Sequence, residues 1–388
     1  MTGAFDLLKE RSPLEVGGSL TIDLAAVQAN YRTLAALVRP SVLAAVVKAD
    51  AYGLGARAVA SKLAEVGCRE FFVAHLAEAL DLKPTLPSAA RIYVLNGLQP
   101  GAERACAWHG VIPVLNSIEQ ARRWAETATG GRLPAALQID TGMGRLGLSP
   151  DELRSLAASF EIMSRLQLEL VMSHLACADE EHHSANLAQA TAFEQLSALL
   201  PAARRSLAAS AGAFRGPRFH HQLVRSGVFL LGSAPPWAAI RPLTVARLRA
   251  RVIQVRSVGP GDGVGYGLTC VFSRAAQLAT LGVGYADGWP RALGNRGFAL
   301  VDGVRLPVVG RISMDSITID ITALVARGDQ LRLGDEVELL GDGLKLDEVA
   351  EAAGTVSHEL LARLGRRFAR QYLPSPPDPG ATFRKCVA

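Results

Sequence analysis

The sequence predicts an α/β fold, a (β/α)8 barrel followed by a mostly antiparallel β domain. Three observations carry that expectation. Short apolar runs rich in β-branched residues recur eight times between residues 42 and 228, each the length of a buried strand. The stretches between them, such as Asp23 to Val38 and Ser184 to Leu200, repeat apolar residues at three- and four-residue intervals, as amphipathic helices do. After about Ala239 the texture changes to short β-branched runs cut by glycine turns.

In order, the barrel strands are expected at Val42 to Val47, Phe71 to Ala74, Arg91 to Leu95, Val111 to Leu115, Ala135 to Ile139, Leu168 to Met172, Ser206 to Ala209 and Leu223 to Val228. Alternation of strand and helix implies parallel strands with crossover helices, and eight such units close most simply into a barrel. The later strands are expected at Val252 to Val255, Gln277 to Val283, Ala299 to Val301, Val308-Val309, Ile317 to Ile321 and Glu336 to Leu340. Turns at Gly259, Gly261, Asp302-Gly303, Gly328 and Asp342-Gly343 separate them. The division is then an N-terminal extension over 1–19, a barrel over 20–240 and a C-terminal β domain over 241–388, with a Pro-rich tail at Pro374 to Pro379.

Bulk properties narrow the function. A chain of 388 residues, 49% hydrophobic and 20% charged, has material for two cores. The net charge of +5 is scattered. Its one basic cluster, Arg363 to Arg370, reads as a solvated helix face, so no nucleic-acid partner is expected. Five cysteines without a Cys-x-x-Cys pair suit a reducing compartment. No apolar run reaches the roughly 18 residues of a membrane span, and Asp6, Lys9, Glu10, Arg11 and Glu15 interrupt any secretory core. A cytoplasmic protein without a membrane partner is expected.

Barrels of this kind place their chemistry at the carboxyl ends of the strands and hold phosphate in the loops after strands seven and eight. Lys48 ends the first apolar run, in Val46-Val47-Lys48-Ala49-Asp50-Ala51-Tyr52-Gly53-Leu54-Gly55. With its stem in the core, desolvation disfavours the ammonium form and leaves an amine able to attack an aldehyde carbon. Tyr52 can return a hydroxyl to the same mouth, while Gly53 and Gly55 allow a sharp turn. Asp140-Thr141-Gly142-Met143-Gly144-Arg145-Leu146-Gly147 follows the fifth strand. Alone, that octet fits a carboxylate site and a surface ion pair equally. His174 ends the sixth strand, and in isolation it reads as a core histidine. Glu180-Glu181-His182-His183 and His220-His221 lack partners at a known ligand spacing, so no metal is expected.

The ten-residue string around Lys48 resembles the motif of alanine racemases in which the lysine holds pyridoxal 5'-phosphate as a Schiff base. The Arg145 octet looks like the segment of that family whose arginine holds the substrate carboxylate. Gly284-Tyr285-Ala286-Asp287-Gly288 and Gly310-Arg311-Ile312-Ser313-Met314-Asp315 are similar to two further segments of it, so the likeness runs from about Thr21 to about Arg370. The resemblance implies Lys48 and Tyr266, in Val264-Gly265-Tyr266-Gly267, as catalytic bases on opposite faces of the substrate Cα. It implies Arg225 on the cofactor's ring nitrogen, where an arginine that keeps its proton leaves that nitrogen unprotonated and favours proton exchange. His174 would link the tyrosine to Arg225. Gly227 and Val228 would offer amides to the phosphate, with hydroxyls from Ser210 and Tyr52. Met314 would contact substrate, with Tyr285 and Asp315 behind, and the Tyr266 and Met314 segments would reach the site of another subunit in a head-to-tail homodimer.

Five positions depart from the family pattern. Gln138 stands for a carbamylated lysine, and either replaces the carbamate or leaves room for an anion such as chloride. His358 stands for a tyrosine that contacts phosphate and narrows the entrance. Ala209 replaces asparagine, Leu231 tyrosine and Ser313 a frequent cysteine. These bear on substrate width more than on reaction type. The expected activity is a two-base, pyridoxal-phosphate-dependent racemase of alanine, supplying D-alanine for cell-wall synthesis. A broader racemase acting on serine and a barrel-type decarboxylase or D-amino-acid aldolase are the alternatives, with a cofactor-binding protein lacking turnover as a third class.

Overall fold

The computed structural model describes residues 12–373, and the tail at Pro374 to Pro379 lies outside them, as does Cys386. The chain forms two compact units, one of residues 28–242 and one joining the N-terminal segment up to Val27 with everything from Leu243 onward. The first strand, β1 (Gly18–Asp23), belongs to the second unit: it pairs antiparallel with a later strand, Leu20 opposite Leu248. The boundary expected at residue 20 is therefore displaced. Leu20 and Ile22 are fully buried, a contribution that so short a strand reveals only once its partners are in place.

The barrel unit contains all eight expected strands: β2 (Val42–Val46), β3 (Glu70–Val73), β4 (Arg91–Val94), β5 (Ile112–Leu115), β6 (Leu133–Gln138), β7 (Leu166–Met172), β8 (Arg204–Ser206) and β9 (Leu223–Ser226). Every ladder is parallel, in the order β8-β7-β6-β5-β4-β3-β2-β9. The ring closes through two bonds, Gln222 N–H to the Arg205 carbonyl (3.1 Å) and Arg225 N–H to the Ala208 carbonyl (3.0 Å). β8 lies a few residues earlier than the apolar run Ser206 to Ala209, because Arg204 enters the barrel as half of an ion pair with buried Glu70 (2.8 Å). Above that pair Ala44, Phe72, Tyr93, Val114, Ala136, Leu170, Met172 and Leu223 fill the interior, so the barrel is a packed core with its open end at the strand tips.

The second unit is built on the long strand β10 (Ala246–Val258), which pairs antiparallel with β1, with β13 (Ala276–Leu281) and with β17 (Glu336–Leu340). Between β10 and β13 lies a small hairpin of β11 (Gly263–Val264) and β12 (Cys270–Val271). β14 (Phe298–Val301), β15 (Val304–Pro307) and β16 (Ile317–Asp320) complete the antiparallel pairings, and β18 (Ala369–Leu373) runs parallel to β1. Two expectations change here. Val308-Val309 is no strand, since pairing ends at Pro307 and Val308 makes one isolated bridge to Ile319. Arg363 to Arg370 is no helix face either: the helix Ser357–Arg363 stops and the chain enters β18.

Candidate active site

Lys48 follows the tip of β2, and the turn after it is unusual. Ala49, Asp50, Ala51 and Tyr52 all have φ between 52° and 55°, a left-handed helical turn made without glycine. Such backbone costs about 1–2 kcal/mol per residue, so something must hold it. Glu78 does this from the first turn of the helix Leu76–Leu82: its carboxylate accepts the Ala49 amide (2.7 Å) and those of Ala74 (2.6 Å) and His75 (3.0 Å). Asp50 accepts the Ala56 amide (2.7 Å). The glycines expected to make the bend lie beyond it, and strain is stored beside the lysine instead. Burial, then the nearby Arg145 and Arg225 cations, hold the Lys48 amine below the usual lysine range, with Glu78 opposing.

Arg225 projects from β9 and is 2% exposed. Its Nη1 donates to the Ser206 carbonyl (3.0 Å) and Oγ (2.6 Å), and its Nη2 to the Ser173 carbonyl (2.7 Å) and His174 Nδ1 (3.3 Å). Four contacts use the four Nη hydrogens, which leaves the fifth donor, Nε–H, for a ligand. Burial pulls the guanidinium down to about 9, still cationic at neutrality. His174, accepting at Nδ1, is pushed down to about 3 by burial and by Arg225, Arg145 and Lys48. The ring is neutral, and its Nε2–H can donate.

A cradle of hydroxyls and backbone amides lies at β8, β9 and the turn after them. Ser210 Oγ is buried, 3.0 Å from Ser226 Oγ, and accepts the amides of Gly227 (3.1 Å) and Phe229 (3.4 Å). Gly227 is required by a neighbour: a Cβ there would stand 2.3 Å from Tyr52 Oη. That places the Tyr52 hydroxyl at the cradle, where burial raises it to about 12 and keeps it a donor. Val228 follows in the same turn, Leu231 is buried behind, and Ala209 adjoins Ser210.

Arg145 is exposed on its loop and makes no hydrogen bond or ion pair among the described residues. The loop itself is fixed. Asp140 accepts the amides of Gly142 (2.9 Å), Met143 (2.9 Å) and Gly144 (3.0 Å). Gln138, 6% exposed, donates to the Leu146 carbonyl (3.0 Å), one residue past Arg145. The glutamine thus steadies the loop through its backbone. Gln189, missed in the sequence reading, clamps two loops together: it accepts the Ala176 amide (2.8 Å) and donates to the His174 carbonyl (3.1 Å) and Thr141 Oγ1 (3.4 Å). Its signal was a polar residue on the buried face of the helix Ala185–Ser197.

In the second unit Tyr266 lies in the turn joining β11 to β12 and is 70% exposed. Tyr285 and Met314 are exposed too, and their segments bond directly, Tyr285 N–H to the Ser313 carbonyl (3.1 Å) and Ala286 N–H to the Met314 carbonyl (2.9 Å). Arg367, also missed, spans Asp287 (3.1 Å) and Asp315 (2.8 Å). His358 is exposed on the helix Ser357–Arg363.

A (β/α)8 barrel that carries a desolvated amine, an exposed arginine, a buried guanidinium with one donor to spare and a nest of amides at its strand tips is an enzyme equipped for covalent work on a small substrate. The alanine racemase N-terminal domain family matches residues 22–235, and the C-terminal domain family residues 245–372. The chain is 49% identical to a catabolic alanine racemase of Agrobacterium fabrum, covering 92% of each. It is 47% identical to an alanine racemase of Brucella suis, covering 94% of this chain and 96% of that one. Among solved structures, alanine racemase from Bartonella henselae with covalently bound pyridoxal phosphate superposes with a TM-score of 0.88 at 42% identity, covering 92% of this chain and all of that one. The biosynthetic enzyme of Pseudomonas aeruginosa gives 0.86 at 35% identity, with 92% and 99% covered. The chain belongs to the alanine racemase family.

Proposed function

We propose that the chain interconverts L- and D-alanine with pyridoxal 5'-phosphate held on Lys48. The observation that carries this is the Lys48 amine, kept below the usual lysine range between Arg145 and Arg225 at the end of the barrel. The cradle fits the cofactor: Arg225 Nε–H suits the ring nitrogen, and the Ser210 and Tyr52 hydroxyls with the Gly227 and Val228 amides suit the phosphate. His358 is assigned to the phosphate side as well. The bound cofactor supplies an electron sink that acidifies the substrate Cα–H.

The chain's own residues do the rest. Arg145 forks the substrate carboxylate and fixes which face of Cα meets which base. Lys48 Nζ moves a proton at one face, and Tyr266 Oη at the other. Neutral His174 donates from Nε2 while Arg225 holds its Nδ1, so charge does not accumulate on the imidazole. Tyr266 is contributed by a second copy in a homodimer. The exposure of Tyr266, Leu268, Tyr285 and Met314 on the second unit supports that arrangement. Asp315 and Tyr285 position Met314, and Gln138 positions Arg145. A cytoplasmic setting belongs to the same reading, supported by four cysteines that are free thiols among the described residues; no described helix is long and apolar enough to cross a membrane.

The test is proton NMR of L-alanine with the holoenzyme in heavy water, with L-serine in parallel. Loss of the alanine Cα signal with formation of the D-enantiomer is expected. A Cα proton that persists, or exchange without inversion, overturns the reading.

A further inference from the structure

The loop leaving β7 carries a second constellation. Three successive bonds shape it: Glu180 N–H to the Cys177 carbonyl (3.1 Å), His183 N–H to the Glu180 carbonyl (3.3 Å) and Asn186 N–H to the His183 carbonyl (3.2 Å). Each bond closes a turn, and the turns follow one another from Cys177 to Asn186. The turns bring Cys177, Glu180 and His183 together: a sulfur, a carboxylate oxygen and an imidazole nitrogen lie within 4.8 Å of one another.

The backbone behind them is fixed. Arg215 donates to the carbonyls of Ala178 (3.2 Å), Glu181 (2.9 Å) and Glu180, and stacks on Trp237. Asn186 Nδ2 donates to the carbonyls of Cys177 (2.9 Å) and Glu180 (3.2 Å), and Trp237 Nε1 to that of Asp179 (2.6 Å). Cys177 is half-buried against this backbone, while Glu180 and His183 are exposed. The Cys177 thiol and the Glu180 carboxylate make no hydrogen bond among the described residues, and Gln189 holds the backbone of both Ala176 and His174 at the start of the loop.

We propose that Cys177, Glu180 and His183 bind one zinc-class divalent cation, with a fourth position open to water. The donor set decides the class. A thiolate with an imidazole and one carboxylate suits late first-row metals, whereas magnesium and calcium want oxygen alone. Metal–ligand bonds of about 2.0–2.3 Å put tetrahedral donors roughly 3.5 Å apart, so the side chains must draw together by about 1 Å. Exposed Glu180 and His183 have the freedom to do so. His183 Nδ1 accepts the Ala185 amide (3.1 Å), which rotation of the ring hands over to water. Cys177 binds as thiolate and releases its proton to solvent.

The experiment titrates the holoenzyme with cobalt(II) chloride, a zinc surrogate with visible bands. One equivalent should give the bands of a tetrahedral thiolate-ligated ion, to the red of the cofactor's absorption, and zinc should abolish them. Cys177→Ser should remove them, and His183→Ala should weaken cobalt binding by at least about tenfold, since loss of even an outer partner costs that much. An octahedral spectrum, or a tetrahedral one that survives Cys177→Ser, overturns the proposal. Cofactor absorption in each variant confirms the barrel, and if Cys177→Ser fails to fold, exposed His183→Ala and Glu180→Gln carry the test. None of these readouts depends on turnover, so the metal site and the racemase reading stand or fall separately.

Discussion

Gly227→Ala probes the cradle at one atom. The new Cβ would lie 2.3 Å from Tyr52 Oη, 3.0 Å from Cζ and 3.1 Å from Cε2, where ordinary contact begins near 3.4 Å. The phenol must retreat by about 1 Å, yet Tyr52 is 8% exposed and has packed neighbours. Overpacking of this kind costs about 1–3 kcal/mol. At about 2–4 °C per kcal/mol for a unit of this size, calorimetry should show Tm falling by roughly 2–12 °C. Tyr52→Phe removes the offending oxygen and by itself costs about 0.5–1.5 kcal/mol in lost hydrogen bonding. The double variant should therefore be less destabilised than the sum of the singles, with a coupling of about 1–2 kcal/mol. The displaced hydroxyl should also weaken pyridoxal phosphate, by about 1.5–3 kcal/mol for a bond to a charged group, which fluorescence titration of the apoenzyme measures. Strict additivity in the cycle, or unchanged cofactor affinity in Gly227→Ala, would refute the account of this cradle.

Arg145→Lys keeps the charge and loses the fork, so kcat/KM for alanine should fall about 10- to 150-fold, the equivalent of about 1.5–3 kcal/mol, mostly through KM in steady-state assays. Arg145→Gln removes a cation that lowers the Lys48 pKa; the amine then stays protonated to higher pH, and the pH limb for cofactor capture by the apoenzyme should move upward in stopped-flow absorbance. His174 takes its proton near pH 3 when folded against 6.5 otherwise. The unfolded chain thus binds that proton first, and stability should drop as pH falls from 6.5 towards 3 by up to about 1.4 kcal/mol per unit, a component that urea unfolding of His174→Gln should lack. Gly284→Ala would set a Cβ 2.4 Å from both the Ser313 and Met314 carbonyl oxygens, backbone atoms with no rotamer to yield. A loss of about 3 kcal/mol should expose the second unit to limited proteolysis and abolish turnover while the barrel keeps its cofactor absorption.

The barrel was legible because strands such as β3 and β5 are buried along their whole length and leave uninterrupted apolar runs, and because chemistry in such a barrel sits at the strand tips, where Lys48, His174, Ser210 and Arg225 fall. What the sequence hid follows from partners distant in the chain. The barrel domain reads as beginning at residue 20 until Leu248 and Arg370 are seen beside Leu20. The left-handed turn at Ala49 to Tyr52 depends on Glu78, whose three amide contacts no local pattern announces. Gly227 looked like an amide donor alone, whereas its missing side chain makes room for Tyr52. Cys177 escaped notice as a partner for His183 because a period of three in a loop belongs to neither helix nor strand.

The most direct measurement begins with borohydride reduction of the holoenzyme, followed by digestion and peptide mapping. The chain has six lysines, Lys9, Lys48, Lys62, Lys83, Lys345 and Lys385. A pyridoxyl group on Lys48 alone is the predicted result. The same group on any of the other five, with Lys48 unmodified, would contradict the account.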